Sequence, residues 1–220
     1  MPFTQSQFFE VFARYNEATW PAQLILIALA IAAVVLAFHR SAAAGRLICA
    51  ILAMLWMWMG VVYHAGFFAE VNPPARIFAI LFVVQSFLFL RLATGRSSVR
   101  FSLRGDVRSV IAGILIVFAL PGYAVLSVLA GHNYPGQPTF GLPCPTTIFT
   151  LGLLLLASSA IPRSVFAIPM AWAVVGSTGA FLLGVPEDLS LLMAALATAG
   201  VWVTGLLKRK AARYHAPLSF

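Results

Sequence analysis

Apolar residues in this chain come in long runs rather than in alternation, and the polar positions sit mostly between the runs. A helix that crosses a bilayer needs about 20 predominantly apolar residues. On that measure seven runs stand out, at 20–39, 46–68, 75–93, 107–130, 145–161, 164–184 and 188–207. The fifth is short and bounded by Pro145 and Pro162, which suits a re-entrant or tilted segment. Ahead of the runs, Phe8, Phe9, Phe12 and Tyr15 recur at helical spacing, with Glu10, Arg14 and Glu17 on the other sides. That pattern predicts a short amphipathic helix lying in the interface. Trp20-Pro21 then opens the first run with an interfacial anchor and a residue tolerated in a first helical turn. The expected fold is an all-α integral membrane protein: an interfacial helix over 1–19, seven transmembrane helices over 20–207, and a basic cytoplasmic tail over 208–220.

Composition agrees with this reading. Hydrophobic residues make up 61% of the 220 and charged residues 9%, with a mean hydropathy of +0.95, whereas a soluble domain carries about 25% charged residues. The net charge of +8 suggests nucleic acid until the charges are placed along the chain. With seven crossings, Arg40, Arg46, Arg91, Arg96, Arg100, Arg104, Arg108, Arg163, Lys208, Arg209, Lys210 and Arg213 fall on one side, and only Arg14 and Arg76 on the other. The acids sort the opposite way: Glu10, Glu17, Glu70, Glu187 and Asp188 stand against Asp106 alone. Basic loops stay in the cytoplasm, so the N-terminus is expected outside and the C-terminus inside, with the lipid bilayer as partner and no nucleic acid. The stretch before the first run carries Glu10 and Glu17 and one Arg, the wrong charge for a cleaved signal peptide.

The remaining polar residues concentrate on the outer side. Tyr15, Asn16, Glu17, Tyr63, His64, Tyr123, Tyr134, Thr146 and Thr147 are the candidates for a ligand-binding pocket there. Much of that chemistry lies in GHNYPGQPTFGLPCPTTIFT, 131–150, which is rich in proline and holds His132 and Cys144. His64, about one turn inside the second run, is an ionisable group at membrane depth, which either faces the bundle interior or a wet cavity or hydrogen-bonds a neighbouring helix. His64, His132 and Cys144, with a carboxylate such as Glu17 or Glu70, form a candidate set for zinc or copper, because these metals take imidazole, thiolate and carboxylate. Pro143 and Pro145 would fix the direction of the thiol, and Thr146 and Thr147 would cap the fifth helix. The alternative is a rigid helix entry with an inert cysteine. Two cysteines in different environments, Cys49 and Cys144, give no basis for a disulfide.

Further positions point to packing. Met54, Met57 and Met59 share a helix face only loosely. Gln23 and Gln85 are placed to bond across helices, and Gly176, Ala180 and Gly184 form a small-residue face for close helix contact. Pro121-Gly122 should loosen the fourth helix near Tyr123. No lysine lies inside the seventh run, which excludes a retinal Schiff base, and there is no GxxxxGK[ST], HExxH, GxSxG or CxxCH.

The segments MPFTQSQFFEVFARYNEATWPAQ, YHAGFFAEVNP, GHNYPGQPTFGLPCPTTIFTLGLLLLA and FLLGVPEDLSLL together resemble a family of small bacterial multi-pass membrane proteins known as a domain of unknown function, of which the PCPTTIFT block is the most specific part. The resemblance implies an inner-membrane protein and supplies no activity or residue roles. Two functions are therefore carried forward: a binding or transport protein that takes a small solute or metal ion into an outward-facing polar pocket, and an intramembrane metal- or thiol-dependent enzyme acting on a lipid or small apolar substrate. The missing hydrolase motifs and the scarcity of carboxylates within the runs favour the first.

Overall fold

The computed structural model describes residues 2–95 and 99–214. Arg96, counted above on the basic side, and residues 215–220 of the tail lie outside the described residues. The described chain is helical, with isolated bridges (Phe101 to Ala157, Phe140 to Leu142) as its extended pairings.

Helix α1 is Gln5–Thr19. Thr4 caps it through a box in which the Thr4 side chain accepts from the Gln7 N–H and the Gln7 side chain accepts from the Thr4 N–H. Its buried face is Phe8, Val11, Phe12, Tyr15 and Asn16, the spacing of one helical stripe. At Trp20-Pro21 the chain turns by 86° into α2, Ala22–Ala37. Helix α3, Ala42–Val71, widens to a π-helix over Met59–Phe68, and α4 is Ala75–Thr94. Helix α5, Val107–Leu129, begins at the Asp106 cap and is π-helical over Phe118–Gly122. Pro121 lies in that widened turn, where its missing N–H is accommodated by the looser hydrogen bonding, so the expected break near Tyr123 is present as a π segment. Helix α6 is Pro143–Leu155, α7 is Ser164–Leu182, and α8, Leu189–Tyr214, follows a single 3-10 turn at Pro186–Asp188.

Among the described residues five helices are long and apolar enough to cross a membrane: Ala42–Val71, Ala75–Thr94, Val107–Leu129, Ser164–Leu182 and Pro186–Gly205. A sixth candidate arises if the bent pair α1 and α2 is taken as one span. The fifth run differs from its expected 145–161 boundaries. Its helix is 13 residues long, starts two residues earlier and stops at Leu155. Pro143 sits in the first turn, where a missing N–H has no cost. At the other end the chain leaves α6 in extended form, and Ser102 N–H donates to Leu156 O at 2.9 Å while Ser158 N–H donates to Arg100 O at 2.7 Å. The seventh run also differs, because α8 continues as helix to Tyr214.

Helix α6 is the centre of the bundle. Every one of its residues except Cys144 is buried, and α5, α7 and α8 pack around it. Close approach and interhelical hydrogen bonds hold the helices together. At Gly152 a Cβ would come within 2.9 Å of Ile116 Cγ1 and 3.1 Å of the Ala112 carbonyl on α5. Hydrogen bonds tie the remaining helices together. Trp56 Nε1 donates to Thr150 Oγ1 at 3.0 Å, Ser86 to Ala53 O at 2.7 Å, and Gln85 to Val165 O at 2.9 Å. Gln23 donates to Asn16 O at 2.9 Å across the α1–α2 bend.

The connections gather at two ends. At one end Arg40 donates to Leu103 O at 2.9 Å, and Arg104 donates to Ser158 O at 3.2 Å, so the loops after α2, α4 and α6 meet. At the opposite end α1, the end of α3, the 131–142 loop and the 183–188 turn meet through Arg14–Glu70, His132–Glu187 and the bonds of Asn16 described below. The chain therefore runs from one end to the other between successive loops, α6 included.

Candidate functional site

Asn16 holds the α1 end together. Its Nδ2 donates to the carbonyls of Pro135 and Gln137 at 2.6 and 2.8 Å, and its Oδ1 accepts from Thr139 Oγ1 at 2.6 Å. One fully buried amide thus fixes the 131–142 loop against α1. Tyr15, also fully buried, accepts from Trp58 Nε1 at 2.7 Å. Tyr134 reaches the Asn16 carbonyl at 3.5 Å and is half exposed, and Glu17 points outward from α1. The Arg14–Glu70 pair, 2.7 Å apart and about half exposed at each side chain, is a surface contact of small energetic weight.

Beneath α1 lies a cavity of about 190 Å³. Phe3, Phe8 and Phe12 form its roof; Tyr63, Phe68 and Phe78 form one wall; Trp172, Val175, Gly176 and Gly179 of α7 form the other. Trp172, Val175 or Gly176, and Gly179 recur at helical spacing, so they share one face of α7, and Val175 and Thr178 at the rim are exposed. Gly176 lets α7 approach α8 closely, since a Cβ there would stand 2.8 Å from Leu191 Cδ1. The roof is aromatic because it carries the apolar stripe of α1, turned down onto the bundle by the bend at Pro21.

The floor is polar. Cys144 and Asp188 line it, with Asn72 at its edge. Asp188 is buried, accepts a hydrogen bond from Tyr123 Oη, and lies beside the Cys144 thiol at the N-terminal end of α6. A helix N-terminus carries partial positive charge and favours a carboxylate. Asp188 Oδ2 also sits directly over Gly179, 2.7 Å from where a Cβ would stand. The neighbouring Glu187 is fully buried too. One of its oxygens meets His132 Nδ1 at 3.0 Å and the other has no partner among the described residues. The His132 ring is 4.5 Å from that of Phe9, which ties this turn to α1.

The three residues grouped as a metal set are not brought together. Cys144 is at the cavity floor, and His132 is engaged with Glu187. His64 is fully buried inside a case of rings: Phe82 at 4.6 Å, Trp172 at 5.1 Å, Tyr63 at 5.2 Å, Phe78 at 5.8 Å and Phe68 at 6.1 Å. Neither of its ring nitrogens has a hydrogen-bond partner among the described residues. No group of three or more His, Cys, Asp and Glu side chains placed to hold a metal ion occurs among the described residues. Both cysteines are free thiols.

The expected caps also differ. Leu142 occupies the cap position and α6 has no side-chain cap. Thr146 instead accepts the Gly141 N–H at 3.1 Å, and Thr147 Oγ1 is buried without a partner among the described residues. Of the proposed ligand-binding residues, Tyr63 lines the cavity and Tyr123 braces its carboxylate from behind. Tyr15, Asn16, Tyr134 and Thr146 make contacts within the fold. Asp188, counted among the outer acids at the start of the seventh run, was not among the candidate site residues. The sign available in the sequence was its position within one turn of an apolar run, with no basic residue near.

No curated protein and no solved structure matches this chain. A family profile described as a family of unknown function, DUF6064, matches residues 5–213, nearly the whole length. A match of that extent, over a helical chain with several long apolar helices, shows that the chain belongs to the DUF6064 family.

Proposed function

We propose that this protein crosses a bacterial inner membrane seven times, N-terminus outside and C-terminus in the cytoplasm, and that it holds a small, largely apolar molecule in its outward cavity without transforming it. The observation that carries the binding reading is the cavity itself: about 190 Å³, walled by aromatic rings and floored by Asp188 and Cys144. An apolar cavity of roughly 150 Å³ already admits a benzene-sized guest, so this one suits a single ring or a chain of a few carbons. Its shape fits the usual plan of ligand sites, apolar walls with few polar groups.

The seven-crossing reading is supported by the gathering of loops at two ends. Arg40, Arg100, Arg104 and Arg163 belong to one end, and Glu10, Glu17, Glu70, Glu187 and Asp188 to the other, the distribution expected of a cytoplasmic and an outer face. The binding reading is preferred to catalysis because the sequence carries no GxSxG or HExxH motif.

Native mass spectrometry of the protein in a mild detergent tests the binding reading. Wild type should carry a small adduct, or take one up from a panel of benzene- to indole-sized compounds. Val175→Trp, which fills the rim, should not. Equal behaviour of the two proteins overturns the reading.

A further inference from the structure

The cavity holds a carboxylate with no counter-ion in its described lining. Asp188 is the one Asp or Glu there, and no lysine, arginine or histidine accompanies it. Its hydrogen-bond partner, the Tyr123 hydroxyl, is a neutral donor, and the Cys144 thiol lies beside it. A buried carboxylate is costly unless it is hydrogen-bonded and paired, and here the hydrogen bond is present without a cation among the described lining residues. The walls add a second preference of the same sign. The faces of Phe, Tyr and Trp rings attract cations, Trp most strongly, and Trp172, Tyr63, Phe8 and Phe68 surround the space.

A metal ion does not suit this arrangement. Calcium takes six to eight oxygen ligands and zinc about four donors, whereas no three His, Cys, Asp or Glu side chains converge among the described residues. A cation with an apolar body does suit it, because the charge meets Asp188 while the hydrocarbon meets the rings. Resting on the cavity-binding reading above, we propose that the occupant is an alkylammonium group, its nitrogen at Asp188 and its carbon chain against the aromatic walls. Such a group can belong to a free aliphatic amine or to the amine headgroup of a lipid, whose chains would leave over the exposed rim at Val175 and Thr178.

The test is isothermal titration of the full-length protein in a maltoside detergent at pH 7.5 with hexylammonium, and with hexanol and hexanoate as neutral and anionic counterparts. Hexylammonium should bind most tightly of the three. Asp188→Asn, in which Tyr123 can still donate to the amide oxygen, should weaken hexylammonium by about tenfold or more, as expected for loss of a desolvated ion pair, and leave hexanol within about twofold, since its apolar contacts are unchanged. Trp172→Leu gives a second reading that spares the carboxylate, and it should lower hexylammonium affinity more than hexanol affinity. If hexanol binds as well as hexylammonium and Asp188→Asn changes neither, the ammonium proposal fails while the cavity reading stands. If none of the three binds and Val175→Trp makes no difference, both fail. Retention of phosphatidylethanolamine over phosphatidylglycerol through purification, lost in Asp188→Asn, identifies the lipid headgroup as the source. Binding of hexylammonium without such retention identifies a free amine.

Discussion

At the scale of single residues, the α1 end depends on Asn16 more than on any of its charges. Its amide makes three side-chain hydrogen bonds into the 131–142 loop and is fully buried. Asn16→Ala leaves two carbonyls and a hydroxyl without that partner, at about 1–3 kcal/mol for a buried unsatisfied group. The expected result is a clear fall in the thermal midpoint in detergent. Arg14→Ala, at the exposed ion pair, should change it little; equal effects would disprove the ranking. Some of this was legible from sequence and some was not. Gln23 and Gln85 were read as interhelical donors and are so. Asn16, His64 and Asp188 show what was hidden. An amide in an amphipathic helix, a histidine near a helix end and an acid in a turn each admit several environments. Which one holds depends on what another part of the chain lays over them. For His64 the deciding partners are Phe82 and Trp172, 18 and 108 positions further along.

At the scale of helices, apolar runs translate well into elements where the helix spans the bundle unaided. The runs at 75–93, 107–130 and 164–184 correspond to Ala75–Thr94, Val107–Leu129 and Ser164–Leu182 within two residues. The reading fails at α6 for a reason that hydropathy does not contain. The residues after Leu155 are apolar or small, but the Ser102 N–H and the Arg100 carbonyl offer their backbone an extended pairing that competes with further helix. Burial on all sides makes α6 the least forgiving element. Gly152→Leu would drive a side chain into Ile116 and the Ala112 carbonyl, and overpacking of this kind costs about 1–3 kcal/mol or more. Loss of folded protein by size-exclusion chromatography is the expected outcome, whereas Gly113→Leu, at a position with open space, should be tolerated. Equal tolerance of both would contradict the central placing of α6.

At the scale of the molecule, the two ends make a prediction about sidedness. In a background with Cys49 and Cys144 replaced, Glu10→Cys should react with an impermeant maleimide on intact cells, because Glu10 lies exposed on α1. Thr94→Cys, exposed at the opposite end, should react only after permeabilisation. The reverse pattern would invert the topology, and reaction of both would refute a two-sided arrangement.

The cavity also has a history in time. Its roof is built from residues 2–12 and its floor from Cys144 and Asp188, so its parts leave the ribosome at nearly opposite ends of synthesis. Through most of translation the ring-bearing stripe of α1 has no floor beneath it. The pocket closes only when the Pro186–Asp188 turn emerges, with α8 still to follow. A nascent chain stopped before that turn can therefore hold six of the apolar runs and still have no site.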